Sequence, residues 1–340
     1  MILAIESSCD ETSAAIVHNS EVHSNIISSQ FFHSKYGGVI PELASRAHLQ
    51  AISSITSQAL IEANIKIEDL SAIAVTSEPG LIGSLVVGAN FAKGLSVRFN
   101  LPIVPVNHIE GHIFSGFLHQ EDPDFPVITL VVSGGHTAIF HVKNYDDYEI
   151  IGLTRDDAAG EAFDKIAKLC GLPYPGGPLI DKLSKLGDKK KYNFPRSMLH
   201  SKDFDFSFSG LKTSVRYFLK KEFPNGIPEN AVPDISASVQ AAIVDVLVHK
   251  TILASRKLNI KKIYVAGGVS ANSSLREEMK LTANKYNIQT VFPEFSYCMD
   301  NAAMIGFIAE KKFLSSTKNQ NIFKKLDFTV SANALRASYK

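Results

Sequence analysis

Short apolar runs alternate with polar turns and longer helical stretches through the first 118 residues. The runs over 2–6, 13–17 and 22–27 read as strands. A helix is predicted over 41–63, with Pro41 suited to its first turn. A strand over 72–76, a helix over 83–98, a strand over 103–106 and a helix over 108–118 complete the order βββαβαβα. The pattern restarts at Pro126, with strands over 127–132, 137–142 and 148–152. After an insertion over about 154–234 come a helix over 236–256, a strand over 262–266, a helix over 272–286, a strand over 290–292 and a helix over 300–314. The same order recurs, in elements rather than in residue identity, and predicts two similar lobes. The expected division is 1–126, then 127–300 with the insertion, then a terminal helix and tail over 301–340.

Composition narrows the class. The chain has 340 residues, 45% of them hydrophobic and 20% charged, as in a soluble globular protein of about two domains. A disordered chain, a collagen-like chain and a small disulfide scaffold are excluded. Lys and Arg number 35 against 34 Asp and Glu, so no global positive field draws the protein to nucleic acid; local patches or partners must do that. Cys9, Cys170 and Cys298 are far apart and form no C-x-x-C pair, which fits a reducing compartment. No secretory leader is read at the start, and the most apolar long stretch, over 81–95, is interrupted by Asn90 and Lys93 and too short to span a bilayer. A cytoplasmic protein without a membrane association is expected.

The chemistry-bearing features begin with two turns. Ser7, Ser8, Asp10 and Thr12 lie between the first two strands, and Ser133, Gly134, Gly135 and Thr137 occupy the matching place in the second half. Backbone N–H groups in such turns can cradle anionic oxygens, and the recurrence favours a nucleotide cleft over two plain hairpins. Gly267-Gly268 joins a strand to a helix, where an anion or a tight turn is equally well accommodated. Gly83-x-x-x-x-Gly88 continues into Ala89-Asn90 and is not a P-loop, and no G-x-G-x-x-G opens a βαβ unit. His108 and His112, at i and i+4, share a helix face suited to one metal, but Glu110 is misplaced for the zincin order, and two ligands alone leave an ordinary helix as the larger expectation. Asp300 is a distant third ligand that spacing cannot select. Glu161, Asp164 and Lys165 read as a helix start, Tyr174 to Pro178 as a rigid turn, and the segment 204–209 as an edge strand in preference to a base-stacking platform. Lys189 to Lys191 read as a solvated loop. Lys212, Arg216 and Lys220 would line one helix face, and Lys311, Lys312, Lys318, Lys324, Lys325, Arg336 and Lys340 make the end of the chain basic.

The motifs Glu6-Ser7-Ser8-Cys9-Asp10-Glu11-Thr12, His108-Ile109-Glu110-Gly111-His112, Ser133-Gly134-Gly135-His136-Thr137, Gly160-Glu161-Ala162-Phe163-Asp164-Lys165, Tyr174-Pro175-Gly176-Gly177-Pro178, Phe206-Ser207-Phe208-Ser209-Gly210, Gly267-Gly268-Val269-Ser270-Ala271-Asn272 and Asp300-Asn301 occur in this order. In that order the chain resembles the TsaD family of bacterial tRNA adenosine threonylcarbamoyltransferases, over the span 1–314. The resemblance implies an α/β, two-lobed actin/hexokinase/Hsp70-like (ASKHA) fold with duplicated βββαβαβα lobes and a central nucleotide cleft. It implies transfer of a threonylcarbamoyl group from threonylcarbamoyl-adenylate to the 6-amino group of the adenosine 3′ of the anticodon, in tRNAs reading codons that start with A, with release of AMP.

By the same resemblance His108, His112 and Asp300 match metal ligands for one divalent ion, Fe first and Zn second. Val131, Val132, Ser133, Gly134, Gly135, Asp164, Gly177, Asp181 and Asn272 match residues holding the adenylate, and Asp10 and Glu11 match acidic residues needed for activity. Partners implied are tRNA, a TsaB-like actin-fold protein and a TsaE-like ATPase. Ala302 stands where the family has Gly. Two other classes stay open on residues alone: an ATP-dependent small-molecule kinase, which needs an aspartate base and no paired histidines, and a non-catalytic nucleotide-binding scaffold.

Overall fold

The structure is a computed structural model that describes residues 1–118, 124–315, 323 and 325–333. Contacts divide the chain into two units, one of 1–124, 144–147 and 293–340, the other of 125–143 and 148–292. In the first unit β1 (Ile2–Glu6) pairs antiparallel with β2 (Glu11–His18), and β2 with β3 (Glu21–Ser29). After helix α1 (Pro41–Glu62), β4 (Ala72–Glu78) adds parallel to β1. After α2 (Ile82–Phe99), β5 (Ile103–Asn107) adds parallel to β4 and leads directly into α3 (His108–Ser115). The sheet order is β3-β2-β1-β4-β5. The central strand β1 is buried along its whole length, as a strand covered on both faces must be.

The second unit contains β6 (Val127–Val132), β7 (Thr137–Val142), β8 (Tyr148–Leu153), α4 (Ala159–Leu169), α5 (Gly176–Ser184), α6 (Ser209–Glu222), α7 (Val232–Lys257), β9 (Lys262–Ala266), α8 (Ser273–Asn284) and β10 (Gln289–Val291). Its sheet order, β8-β7-β6-β9-β10, repeats that of the first unit: an antiparallel meander on one side of the opening strand, two parallel strands on the other. The recurrent element order is therefore a duplication of topology.

The last helix, α9 (Ala302–Ser315), packs on β1 and β2 of the first unit. A side chain at Gly306 would come within 2.6 Å of Val17, so glycine there lets the helix lie against the sheet. Helix α7 belongs to the one stretch, among the described residues, long and apolar enough to cross a membrane, yet it is the core helix of its unit. It even buries Lys250, whose ammonium donates to the carbonyls of Ser201 (3.2 Å) and Asp203 (2.8 Å).

The insertion is partly helical. It holds α4, α5 and α6, and the expected rigid turn at Tyr174 to Pro178 runs into the first turn of α5. The segment 204–209 forms a single bridge, Thr154 to Phe206, rather than an edge strand. Phe206 and Phe208 are buried and stacked on one another in the core, so they offer no face to a base. Burial of each is worth about 1.5–3 kcal/mol, which decides the matter against exposure.

Gly267 has φ of +87°, and a Cβ there would lie 2.5 Å from the Val132 carbonyl oxygen. Gly267→Ala is expected to cost about 1–3 kcal/mol, read as a lower midpoint in urea denaturation; an unchanged midpoint would mean that the β9 turn relaxes freely.

Candidate functional site

The first unit builds its site at the carboxyl ends of β1, β4 and β5. The turn after β1 is held from behind. The carbonyls of Ser8, Cys9 and Asp10 accept hydrogen bonds from Leu81 N (2.8 Å), His48 Nε2 (2.9 Å) and Gln30 N (3.1 Å). Because Nε2 of His48 donates, its Nδ1 accepts, and the Thr12 hydroxyl supplies that bond at 2.8 Å. Burial lowers the pKa of His48, consistent with this neutral ring. Gly80 is required beneath the turn, since a Cβ would meet the Ser8 carbonyl at 2.5 Å. Asp10 and Glu11 are carried on this fixed loop, partly accessible.

Asn107 starts α3 and its side chain accepts from Ile109 N (2.8 Å) and Glu110 N (3.4 Å), while Glu110 reaches back to Asn107 N and pairs with Lys312. This is a capping box. It directs Glu110 away from the histidines, as the misplaced glutamate suggested. His108 and His112 lie on one face, rings 4.7 Å apart and edge-on. Gly111 lets α9 approach closely, since a Cβ would meet Ile305 at 2.9 Å and Met304 at 3.1 Å. Asn301, at the entry to α9, holds its own loop by bonds to Met299 O (2.8 Å) and from Met304 N (3.0 Å). The adjacent Asp300 thereby faces both imidazoles, 3.0 Å from His112 Nε2 and 3.5 Å from His108 Nε2. Ala302, the departure from the family pattern, is buried and donates its N–H to Ser13 Oγ (2.9 Å).

The charge of this site is unbalanced. Burial, then Asp300 and Asp10, push Glu11 up to about 9. Burial opposes a charged His108, but Asp300 and Glu6 outweigh it and push the imidazole up to about 9. Burial, then Asp10 and Asp300, raise the Cys9 thiol far above its ordinary range, which excludes a thiolate nucleophile. One ligand atom from each of His108, His112 and Asp300 lies within 4.8 Å of the others, a possible metal site. Among the described residues the buried His112 Nδ1 has no hydrogen-bond partner, so the ring is tied only through the bond between its Nε2 and Asp300 (3.0 Å). Two imidazoles and a carboxylate in a carboxylate-rich surrounding fit a divalent cation.

In the second unit the residues read for a nucleotide form a continuous chain of contacts. The β6–β7 turn receives the start of α4: Ala159 N donates to Thr137 Oγ1 (2.9 Å) and Gly160 N to Ser133 O (3.2 Å). Gly160 is needed because a Cβ would lie 2.5 Å from that same carbonyl. Asp164 accepts from Gly176 N (2.7 Å) and Gly177 N (3.1 Å), so its carboxylate meets the start of α5 and not of its own helix. Burial outweighs these two bonds and raises its pKa. Asp181 accepts from Ser273 Oγ (2.8 Å) and Ser273 N (3.2 Å) at the start of α8. Asn272 caps the same helix through Leu275 N (2.9 Å) and donates to Gln240 (2.7 Å). Gly134 and Gly135 are exposed and have open space where a Cβ would stand, whereas the side chains of Val131 and Val132 are fully buried, leaving only their main chain for a ligand.

Reasoning from the sequence missed Glu6, His48 and Thr76, which brace these groups. The N-x-x-E spacing of Asn107 and Glu110 was the one local signal available; the others depend on contacts across the sheet. The basic features divide. Lys189 is paired with Glu278 (2.8 Å) and Lys212 with Asp157 (3.5 Å), which leaves Arg216 and Lys220 as the exposed part of the expected helix face. Lys318, Lys324, Arg336 and Lys340 lie outside the described residues.

Two sheets of duplicated connectivity, with polar turns at the strand ends, define a protein of the actin/hexokinase/Hsp70 class. Solved structures agree on the fold. The (R)-2-hydroxyglutaryl-CoA dehydratase component A of Acidaminococcus fermentans matches with a TM-score of 0.55 at 15% identity, covering 92% of this chain and 98% of that one. HypF of T. kodakarensis matches with a TM-score of 0.63 at 13% identity, covering 94% and 49%. The sequence profile described as "TsaD: tRNA N6-adenosine threonylcarbamoyltransferase" matches residues 21–307. Proteins of that name are 50% identical in Thermosipho africanus, covering 93% of this chain and 96% of the relative, and 53% identical in Chlorobium phaeobacteroides, covering 91% and 90%. The chain belongs to the TsaD family, a family of transferases.

The pKa shifts set a pH dependence. Glu11 and His108 both hold their protons in the folded state up to about 9, against ordinary values of 4.5 and 6.5. The native state therefore binds more protons than the unfolded state, for Glu11 between 4.5 and about 9 and for His108 between 6.5 and about 9. Stability then falls as pH rises through these windows. Protein kept metal-free with a chelator is expected to melt at progressively lower temperature from about pH 7 to about pH 9, and His108→Ala to flatten that slope. A melting temperature independent of pH in both proteins would contradict the electrostatics described.

Proposed function

We propose that this protein transfers a threonylcarbamoyl group from threonylcarbamoyl-adenylate to the 6-amino group of the adenosine 3′ of the anticodon, in tRNAs reading codons that begin with A. The observation that carries this reading is the convergence of His108, His112 and Asp300 beside the braced Asp10–Glu11 loop, in a chain of the TsaD family. The donor is a mixed carbamic–phosphoric anhydride. The amine attacks the carbamoyl carbon, the bond from that carbon to the phosphate oxygen breaks, AMP leaves with the electron pair, and the amine gives up a proton. What the protein must supply is orientation, polarisation of the carbonyl and a place for the phosphate charge.

His108, His112 and Asp300 would hold one divalent ion, with Fe favoured and Zn the alternative, both suited to a His₂-carboxylate set with open positions. Such an ion supplies Lewis-acid polarisation. Asp10 and Glu11 supply carboxyl groups beside it. In the second unit the glycines of the 133–135 turn allow close approach of the nucleotide, the main chain of Val131 and Val132 lies behind it, and Asp164, Gly177, Asp181 and Asn272 orient it. Asp181 and Asn272 act through the helix start they cap, since their polar atoms are already engaged. A kinase or a non-catalytic scaffold has no use for two imidazoles aimed at one carboxylate.

We assign work with partners to this protein in the cytoplasm. The exposed cations of α6 make a short stripe, weak equipment for tRNA, since phosphate contacts supply most non-specific affinity. Helices α1 and α2 pack together and expose Leu49, Ile61, Ile82 and Val97, which supports docking of a TsaB-like partner there; a TsaE-like ATPase completes the expected set.

Mass spectrometry of tRNA nucleosides after incubation with threonylcarbamoyl-adenylate and the partner proteins is expected to show the modified adenosine. His112→Ala is expected to reduce it by at least ~100-fold. Unmodified tRNA with active partners and donor present would reject the function. Asp164→Asn is expected to weaken adenylate binding by about 10-fold in calorimetry, on the order of 1.4 kcal/mol; undiminished affinity would remove Asp164 from the nucleotide site.

A further inference from the structure

Glu6 is fully buried, and among the described residues its only ion pair is with His108. A carboxylate removed from water needs a full set of donors or it destabilises the fold by several kcal/mol. Three are present. Ser8 N donates to Oε1 at 2.6 Å, the Thr76 hydroxyl donates to Oε2 at 2.6 Å, and His108 Nδ1 lies 3.1 Å from Oε2. Ser8 on the turn and Thr76 on β4 together fix the plane of the carboxylate, leaving Oε2 aimed at the imidazole. An ionised carboxylate can only accept, so Nδ1 must carry the hydrogen. The Ser8 hydroxyl, 3.1 Å from the same nitrogen, can accept a share of it. With the hydrogen fixed on Nδ1, the lone pair of the neutral ring is on Nε2, the atom that faces Asp300.

His112 has no such support. Its Nε2 faces Asp300, but its Nδ1 is buried without a partner. The two histidines of the motif are therefore not equivalent: one is aligned at Nδ1 by a buried carboxylate, and the other meets a carboxylate only through Nε2, at Asp300.

We infer that Glu6 is a positioning residue, which selects the Nδ1–H form of His108 and presents Nε2 as the principal nitrogen ligand for a divalent cation. The assignment rests on the metal reading given above and adds to it a residue outside the ligand set. The competing explanation is structural, with Glu6 serving to tie β1 to β4 through Thr76. The two differ in what Glu6→Gln does. The glutamine amide is almost the same size, but in either orientation its NH₂ confronts a donor. Facing His108 it would force the hydrogen onto Nε2 and block ligation; facing Ser8 it would oppose that N–H.

The test is titration of the full-length, metal-stripped protein with Co²⁺, followed by its visible absorption, with melting curves of each metal-free variant as a check on folding. Glu6→Gln is expected to weaken Co²⁺ binding roughly 10- to 100-fold and to alter the ligand-field bands. Thr76→Val leaves the carboxylate in place but frees it to rotate, and is expected to show a smaller loss in the same direction; it carries the test alone should Glu6→Gln not fold. His108→Ala is the reference for loss of the ligand. Wild-type affinity and spectrum in the folded Glu6 and Thr76 variants, with His108→Ala defective, would overturn the role of Glu6 and leave the metal site standing. Failure of the wild-type protein to bind Co²⁺ stoichiometrically, or full binding by His108→Ala, would overturn the metal reading itself and this inference with it.

Discussion

The site in the first unit depends on how closely α3 can lie against α9. Residue 111 has no side chain, and any Cβ there would press on Met304 and Ile305. That contact sets the distance from His112 to Asp300, two residues separated by 188 positions in the chain and 3.0 Å in space. Everything else at the site is fitted around it. The capping box of Asn107 and Glu110 fixes where α3 begins, so both histidines fall on the face turned to α9. Asn301 fixes the loop that carries Asp300. The parallel strands β1, β4 and β5 end at the same edge of the sheet, which is why Glu6, Thr76 and His108 meet there, as the switch-point rule for such sheets anticipates.

The second unit repeats the topology with different contacts at its strand ends. Its polar residues are occupied with one another: Asp164 with the start of α5, Asp181 and Asn272 with the start of α8. Three helix N-termini, those of α4, α5 and α8, are thus tied into one continuous network with the β6–β7 turn. Each terminus leaves N–H groups that need partners and carries a positive end of the helix dipole. Residues that bind a nucleotide through such a network act mainly by holding backbone N–H groups in place, and the exposed Gly134 and Gly135 keep the approach to them open. The first unit concentrates negative charge, and the second presents backbone donors. In the transfer proposed above, the first unit would handle a cation and the second an anionic leaving group.

Several features were legible in the residues. Hydrophobic runs of strand length, repeated in one order, were enough for the duplicated sheets, because a strand buried on both faces is predominantly apolar. The i, i+4 histidines and the glycine turns were visible for the same local reason. The environment of Asp164 was not: read as the first turn of its own helix, it serves the next one, and helix numbering carries no information about a neighbour brought in by packing. The alternating segment 204–209 misled because a strand-like pattern also fits two phenylalanines anchoring a loop in the core. Lys212 looked like part of a basic face until its position beside Asp157 became available.

The sequence by itself determined the duplicated fold class, the order of the sheet strands and the family, since these follow from local spacing and from motifs. Tertiary structure alone decided which of the candidate groups meet. Asp300 was one of many distant carboxylates until α9 packed on the first sheet, and Glu6 was an ordinary strand-end glutamate until Thr76 and His108 enclosed it. The physical reason is that ligand distance, burial and the choice of imidazole tautomer arise from contacts between residues far apart in the chain, and no local pattern encodes them.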